Sequence, residues 1–366
     1  MGGAERALVD EVFDTNWVAP TGPMVTRFEE DLACLTGFAH VAALSSGTAA
    51  LHLALRLAGI SAGDEVWSAT MTFIGGVAPI LYLRGKPVFV DVEAETFLLD
   101  LDLLEAELAR AARRGGLPRA IITTDIYGHP IDVERLSTLR QRFGFLWISD
   151  TAEALGAYSA GRHAGAGADF MIMSFNGNKI ITTSGGGALA SNDCAMIERA
   201  RFLSTQARDP APHYEHSTFG YNYRLSGVSA AIGVGQLAVL PQRVERRREI
   251  NLRYREQLGD RSGFSFSPEA SGVRANRWLT TVRINPAAAG YDREVVRLKL
   301  EEHNIESRPL WKPMHMQPIF AGASSHGGDV AEQAFAEGLC LPSGSNMTND
   351  DVDRVCEIID SVRTQR

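Results

Sequence analysis

Long apolar runs are absent from this sequence. It has no stretch of about 18 consecutive apolar residues, whereas a membrane-spanning helix needs about 20. The first residues, "MGGAERALVDEV", carry charges of both signs and lack the apolar core of a secretory signal. We therefore expect a cytoplasmic protein with no membrane partner.

Cysteine and positive charge are also in short supply. Cys34, Cys194, Cys340 and Cys356 lie far apart, form no C-x-x-C pair and have no histidine at metal-ligand spacing. We expect free thiols and no bound metal. With 36 Lys and Arg against 44 Asp and Glu, the net charge of −8 gives no basic field for nucleic acid. Any anionic ligand must therefore be held by local groups.

Two common nucleotide-binding motifs are missing. The early strands are not followed by G-x-G-x-x-G at the start of a helix, which weighs against a nicotinamide dehydrogenase. The G-x-x-x-x-G-K-[ST] spacing of a P-loop is absent as well. Phosphate binding, if present, must use another arrangement.

Short, continuous apolar segments predict the strands of a sheet. They are "HVAALS", "EVWSA", "KPVFVDV", "RAIITTD", "FLWISD", "ADFMIMSF" and "GGALAS", and segments of helical period such as "TAALHLALRLAG" and "LDLLEAELARAARR" lie between them. This pattern predicts an α/β fold with a mostly parallel sheet covered by helices on both faces. Ligands of such sheets bind at the carboxyl ends of the strands.

The chain is long enough for a large and a smaller domain. From residue 236 the pattern changes to a long, charged helix, followed by "WLTTVRIN", "REVVRLKLEEHNI" and "NDDVDRVCEIIDSVR". We predict a large domain over residues 1–245, including an N-terminal arm, and a small C-terminal α+β domain over residues 246–366. The stretch "GDRSGFSFSPEASGVRAN" is the most loop-like.

A single lysine stands in the segment "SFNGNKIITTSGGGAL". Lys179 follows a predicted strand by a few residues, which puts it at the ligand-binding edge of the sheet. The preceding Asn and Gly residues suit a tight turn. A lysine placed there can attack a carbonyl group, whereas an isolated lysine is more often a solvated surface residue, so neighbouring groups must decide between the two interpretations.

Two further segments supply such groups. In "LSSGTAALHLAL", Ser45 to Thr48 join a strand to a helix, where free N–H groups and the helix dipole favour a phosphate, although helix capping alone also explains them. In "FLWISDTAEALGA", Asp150 ends an apolar strand and Glu153 follows one helical step later. A carboxylate there requires a cationic partner, such as a pyridinium nitrogen, unless it only caps a helix.

A phosphate site, a carboxylate at a strand end and a later lysine, in this order, resemble the DegT-type nucleotide-sugar aminotransferases. These are fold type I pyridoxal phosphate enzymes of the aspartate aminotransferase superfamily. The resemblance covers nearly the whole chain and rests on "SSGTAALHLAL", "GDEVWSATMTFIGGVAPILYLRGKPVFVDV", "DIYGHPIDVERL", "SDTAEALGAYSAG", "SFNGNKIITTSGGGAL", "GYNYRLSGVSAAIGVGQL" and "RPLWKPMHMQPIF". It implies that the large domain binds pyridoxal 5′-phosphate, which cycles through pyridoxamine 5′-phosphate.

The resemblance also implies roles for individual residues. It makes Lys179 the Schiff-base lysine and Asp150 the partner of the pyridine nitrogen. It places the other cofactor contacts at Gly47, Thr48, Phe73, Glu153, Ser174 and Asn222. Asn222 matches a phosphate contact donated by the neighbouring subunit, so the resemblance implies a homodimer with shared active sites.

The segment "RPLWKPMHMQ" is most similar to that of enzymes making UDP-4-amino-4,6-dideoxy-N-acetylhexosamine, on the route to bacillosamine-type sugars. It implies L-glutamate and a UDP-linked 4-keto sugar as substrates, with Trp311 and His315 beside the sugar and Arg224 near the diphosphate. A Met-rich packing segment is the other interpretation of these residues.

The chain departs from many relatives at residues that neighbour the expected site. Ser149 stands where relatives have an acidic residue, Thr151 stands where they have alanine, and "SGGG" lacks an acidic residue. A branch that dehydrates sugars has histidine in place of the lysine, so Lys179 argues against a dehydratase. The alternative functions are aminotransfer to GDP-linked, dTDP-linked or 3-keto sugars, a pyridoxal phosphate-dependent sugar dehydratase and a non-catalytic nucleotide-sugar-binding protein.

Overall fold

The computed structural model describes residues 1–362. Its strands are β1 (His40–Leu44), β2 (Glu65–Ala69), β3 (Lys86–Val90), β4 (Ala120–Thr124), β5 (Leu146–Asp150), β6 (Tyr158–Ser159), β7 (Arg162–His163), β8 (Phe170–Ser174), β9 (Gly187–Ser191), β10 (Phe264–Phe266), β11 (Val273–Arg274), β12 (Thr280–Ile284), β13 (Arg308–Pro309), β14 (Ser324–His326) and β15 (Gly338–Leu341).

The α-helices occupy the segments between these strands. They are α1 (Glu5–Asp14), α2 (Pro23–Thr36), α3 (Gly47–Leu57), α4 (Ala78–Tyr82), α5 (Leu101–Arg114), α6 (Val133–Phe143), α7 (Cys194–Ser204), α8 (Gly227–Leu237), α9 (Leu240–Leu258), α10 (Pro286–Ala289), α11 (Arg293–Glu302), α12 (Asp329–Glu337) and α13 (Asn349–Ser361). Within residues 1–362, none of the helices combines the length and apolar character required to cross a bilayer.

The central sheet has eight strands in the order β1-β9-β8-β5-β4-β2-β3-β14. Strand β9 is antiparallel to both of its neighbours, and the remaining pairs of neighbouring strands are parallel. The predicted α/β fold with a mostly parallel sheet is therefore confirmed. Because the parallel strands share one direction, their carboxyl ends meet at a single edge.

Both faces of this sheet are covered, as the continuous apolar strands predict. Val41 and Ala43 belong to the apolar cluster on one face, and Ala42 and Leu44 belong to the cluster on the other. Successive side chains of a strand point to opposite faces, so a strand buried on both sides must be apolar throughout. This explains why β1 has no alternating polar residues.

The helices begin and end where local chemistry places them, as α5 illustrates. The Asp100 carboxylate accepts hydrogen bonds from the N–H groups of Asp102 and Leu103 at the first turn, both at 2.9 Å. Gly115 ends the helix with a φ of 71°, a left-handed conformation that glycine adopts without strain. The predicted helix "LDLLEAELARAARR" therefore has the same bounds in the structure.

The C-terminal segment forms a second sheet, β10-β12-β15-β13, with its own apolar cluster beneath α9, α11 and α13. Residue 245 lies inside α9, so the division into a domain of residues 1–245 and a domain of residues 246–366 stays a prediction. The last four residues of the predicted C-terminal domain, 363–366, lie outside the described part of the chain.

Two pieces of the C-terminal segment join elements of the N-terminal part. Strand β14 pairs with β3 in the central sheet, and β11 pairs with β6. The stretch that we expected to be loop-like, residues 259–276, contains the short strands β10 and β11.

Candidate active site

A cavity of about 310 Å³ lies at the carboxyl ends of the parallel strands. Most of the residues that we singled out from the sequence line this cavity, although they are far apart in the chain. They are Gly47, Thr48, Phe73, Asp150, Glu153, Ser174, Lys179 and Trp311.

One end of the cavity is the N-terminus of α3. The Ser46 hydroxyl accepts a hydrogen bond from the Ala49 N–H group at 3.0 Å, so the helix-capping interpretation is correct. The first N–H groups of a helix lack intrahelical acceptors, and those of Gly47 and Thr48 belong to this first turn. A Cβ atom at Gly47 would lie 3.1 Å from the Cβ atom of Ser174. Glycine therefore lets the helix start pack closely against the end of β8, and the free N–H groups there are of the kind that can bind an anion.

Lys179 is largely buried, with 11% of its side chain exposed. The backbone N–H group of Lys179 donates a hydrogen bond to the Asn176 carbonyl oxygen at 3.0 Å, which closes the predicted turn. Its Nζ atom lies 3.3 Å from Oε1 of Glu153 and 4.2 Å from the centroid of the Trp278 ring. The surface-lysine interpretation does not fit this position.

Glu153 is fixed by the backbone around it. Its Oε2 atom accepts a hydrogen bond from the Tyr127 N–H group at 2.7 Å, and Tyr127 has a φ of 55°. The Asn276 side-chain amide donates to the carbonyl oxygens of Glu153 and Leu155, both at 2.9 Å. The Glu153 carboxylate is therefore held in place before any ligand arrives.

Asp150 ends β5 with its side chain facing the cavity. Burial raises its pKa to about 6, although the Ala152 N–H group and the Lys179 ammonium lower it and Glu153 raises it further. A cation placed against this carboxylate would offset the cost of burying its charge.

A second buried carboxyl lies behind Asp150. Asp125 is fully buried, and its Oδ1 atom accepts a hydrogen bond from the Ile131 N–H group at 2.8 Å. Burial raises its pKa to about 7, opposed by the Ile131 N–H group and the hydroxyls of Thr151 and Ser149. The charge of Asp150 raises it further. Ser149 and Thr151, two of the departures from relatives, therefore contact this second carboxyl.

We expect Asp125→Asn to flatten the pH dependence of the stability of the cofactor-free chain. An aspartate in an unfolded chain has a pKa of about 3.9, so the folded state binds this proton more tightly. Its stabilising effect is complete below about pH 4 and is lost as the pH rises to about 7. Between pH 5 and pH 8, urea unfolding should show the variant gaining about 2 to 3 kcal/mol relative to the wild type.

The exposed Asp260→Asn is the control for removing one negative charge. An Asp125→Asn variant that follows the wild-type curve at every pH would contradict the assigned protonation of Asp125.

Aromatic side chains form one wall of the cavity. Trp278 and Trp311 stack with their ring centroids 6.5 Å apart, Tyr127 stacks on Trp311 at 6.1 Å, and Phe73 lies 5.9 Å from Trp311. Sequence reasoning missed Trp278 and Asn276. Both lie in "RANRWLTT", where no spacing of polar groups marks a site, so only the packing of the C-terminal segment reveals them.

Three predicted site residues lie outside the cavity lining. Asn222 is exposed at the surface, in a segment whose backbone pairs with Thr205. The Arg224 guanidinium lies 3.2 Å from the Glu29 carboxylate. His315 lies 2.6 Å from the Thr70 hydroxyl and 3.1 Å from the Glu332 carboxylate.

The residues of the cavity fit pyridoxal phosphate. The start of α3 and Ser174 offer donors to a phosphate, Asp150 offers a carboxylate to a pyridinium, and Lys179 offers a primary amine. A Cβ atom at Gly75 would lie 2.7 Å from the Thr48 hydroxyl, and one at Gly76 would lie 2.8 Å from the Asp150 carboxylate. Glycine at these positions keeps space open beside both groups. No metal-binding cluster of His, Cys, Asp or Glu is found among residues 1–362.

Comparison with known proteins agrees with this geometry. The model of the DegT/DnrJ/EryC1/StrS aminotransferase family matches residues 1–360. EpsN of Bacillus subtilis (strain 168), whose name describes a pyridoxal phosphate-dependent aminotransferase, is 47% identical over 98% of this chain and 93% of its own. GDP-perosamine synthase of Caulobacter vibrioides is 34% identical over 99% of this chain and 96% of its own. The structure of DesI in the presence of its TDP-sugar product superposes with a TM-score of 0.89 at 27% identity. The superposition covers 99% of this chain and 90% of the DesI chain.

Proposed function

Because the chain belongs to the DegT/DnrJ/EryC1/StrS family of pyridoxal phosphate-dependent aminotransferases, we propose that it aminates a nucleotide-linked keto sugar. The amino group of L-glutamate is transferred to the C4 keto group of a UDP-linked 4-keto-6-deoxy-N-acetylhexosamine. The product is a UDP-4-amino-4,6-dideoxy sugar for glycan biosynthesis of the bacillosamine type.

The observation that carries this proposal is the convergence of Lys179, Asp150 and the start of α3 on one cavity. Each feature alone has an ordinary structural explanation. Their meeting at the carboxyl edge of a parallel sheet supplies an amine, a carboxylate for a cation and an anion site within one enclosed volume. Transamination requires these three kinds of group.

The side chains divide the work between them. When bound, pyridoxal phosphate supplies an electron sink for breaking a bond at the amino-acid α-carbon. Lys179 would hold the cofactor covalently. Once released, its neutral amine would take the proton from the amino-acid α-carbon and deliver it to the cofactor within the same half-reaction, and it would make the reverse transfer, towards the sugar C4, in the other. Asp150 keeps a ring nitrogen positively charged, and Thr48, Ser174 and the start of α3 orient the phosphate.

The aromatic wall supports a sugar as the acceptor. Trp311 and Phe73 border the cavity, and Trp278 closes it beside the lysine. Apolar walls exclude water from the reacting centre and leave room for the ring and the C6 methyl group of a deoxy sugar. Of the predicted substrate contacts, Trp311 has the position that best supports this role. His315, four residues further along the same segment, remains a proposal.

A homodimer with shared active sites is part of the proposal. The proposed substrates, a nucleotide diphosphate sugar and glutamate, both carry negative charge. Among the described residues that line the cavity, only Lys179 has a positively charged side chain. Groups from a second copy would answer this need, and Asn222 lies exposed beside the half-buried Tyr221 and Tyr223. Arg224 requires release from Glu29 before it can meet a diphosphate.

The main alternative is aminotransfer to a GDP-linked sugar, because one relative is named GDP-perosamine synthase. The deciding experiment incubates the purified chain with L-glutamate and UDP-, GDP- and dTDP-linked 4-keto-6-deoxy sugars, with a 3-keto sugar as a further substrate. Mass spectrometry and NMR then identify each product. We expect amination at C4 of the UDP-linked sugar, with kcat/KM at least about tenfold above the others.

A preference for the GDP-linked sugar would replace the proposed substrate and leave the reaction type standing. Failure to aminate every sugar, with the cofactor bound, would reject the proposed function.

A further inference from the structure

Trp278 closes the cavity beside Lys179, and its contacts with this lysine go beyond what a wall that excludes water requires. It precedes β12 and is 2% exposed, so it belongs to the interior although it lines the cavity. Its ring centroid lies 4.2 Å from Nζ of Lys179. An ammonium over the face of an indole is attracted by the negative potential of the ring, most strongly where water is excluded.

Several contacts fix the orientation of this indole. Its Nε1–H group donates to the Asn178 carbonyl oxygen at 2.9 Å. Its backbone N–H group donates to the Asn276 side-chain oxygen at 2.8 Å, and its carbonyl oxygen accepts a hydrogen bond from Arg247. The ring of Trp311 stacks beside it, so hydrogen bonds and ring packing together restrict rotation of the indole. Trp278 therefore contacts both the peptide that precedes Lys179 and the amine of Lys179 itself.

Two carboxylates also lie near this amine. Nζ lies 3.3 Å from Oε1 of Glu153, and Asp150 lines the same cavity. A free ammonium that moved fully onto these acids would neutralise the charge that Asp150 needs for a bound pyridinium. The indole face contacts the same amine, with its centroid 4.2 Å from Nζ, so Glu153 and Trp278 hold the amine together.

Resting on the proposed function, we propose that Trp278 is a positioning residue for the free amine of Lys179. Its ring holds the ε-amino group when the lysine is not linked to the cofactor, and its Nε1–H group fixes the turn at residues 176–179. The amine thereby stays within reach of the reacting atoms in both half-reactions.

The chain contains four lysines, Lys86, Lys179, Lys299 and Lys312, so selective labelling gives a simple spectrum. We would record proton–carbon NMR spectra of the full-length, cofactor-free chain labelled with ¹³C at the lysine ε position, and assign Lys179 with Lys179→Arg. Protons above an aromatic face are shielded. The Lys179 signal should lie upfield of its position in the urea-unfolded chain, whereas the signal of the exposed Lys86 should not.

Three variants distinguish the effect of the aromatic ring from the effect of its N–H group and from a general loss of packing. Trp278→Phe keeps an aromatic face and should retain much of the upfield shift, and Trp278→Leu should abolish it. Trp147→Leu is the matched control, because Trp147 is equally buried and donates to the Thr123 hydroxyl at 2.9 Å without touching the lysine. It should leave the Lys179 signal in place.

A kinetic measurement tests the consequence. In single-turnover reactions of the cofactor-loaded chain with glutamate, Trp278→Leu should be slower by about tenfold and Trp278→Phe by less than about threefold. An unshifted wild-type signal, an upfield shift that survives Trp278→Leu, or equal kinetic loss in the two variants would overturn the proposal. The NMR experiment uses neither sugar nor cofactor, so failure of the proposed function would appear separately, as an unreactive wild-type enzyme.

Discussion

Lys179→Ala should abolish aminotransfer, lowering kcat by at least about 10³-fold. The substitution removes both the amine that links to pyridoxal phosphate and the group that carries the proton. It also leaves Glu153, which is 4% exposed and lies 3.3 Å from the amine, without its cation. The visible absorption of the lysine-linked cofactor should vanish, and spectroscopy and turnover with glutamate would measure both effects.

Lys179→Arg separates charge from covalent chemistry. Arginine preserves a cation opposite Glu153 but offers no primary amine, so it should restore the stability of the fold without restoring turnover. Lys86→Ala, at an exposed lysine at the start of β3, is the matched control and should retain absorption and rate. Normal turnover by Lys179→Ala would contradict the mechanism.

Asp150→Asn should bind cofactor but react about a hundredfold to a thousandfold more slowly in each half-reaction. Asparagine has the same shape as aspartate and lacks the charge that holds a proton on a ring nitrogen. The anion site at α3 and the amine of Lys179 are unchanged, so cofactor affinity should stay within about tenfold. Stopped-flow absorption with glutamate, and then with a keto sugar, measures both rates.

A stability measurement distinguishes slower chemistry in Asp150→Asn from a loss of folded protein. Burial raises the pKa of Asp150 to about 6, above the unfolded value of about 3.9, so its ionisation costs stability as the pH rises through that range. The cofactor-free Asp150→Asn chain should therefore be at least as stable as the wild type at pH 8. A variant with near-normal rates would show that another group holds the ring proton.

Much of the fold follows from local pattern. The predicted strands β1, β2, β3, β4, β5, β8 and β9 and the helices α3 and α5 are confirmed, because apolar continuity, helical period and capping residues act over a few neighbouring positions. Short strands such as β11 and β14 escaped prediction. Two or three residues carry no periodic signal, and their partners β6 and β3 lie far away in the sequence.

The sequence by itself determined which groups stand at the ligand edge. Ser46, Asp150 and Lys179 each lie at or just after the end of a strand that is recognisable from its apolar residues. A parallel sheet brings such ends together whatever the rest of the chain does. The groups expected to hold a phosphate, the carboxylate and the amine could therefore be named before the structure.

Only the tertiary structure decided what surrounds these groups. It put Trp278 over the amine of Lys179, buried Asp125 behind Asp150 and paired Arg224 with Glu29. These contacts join segments separated by up to about 200 positions, and they depend on how the C-terminal segment and the helices pack against the sheet. Burial and the electric field at a side chain arise from the whole packed structure, so no local pattern encodes them.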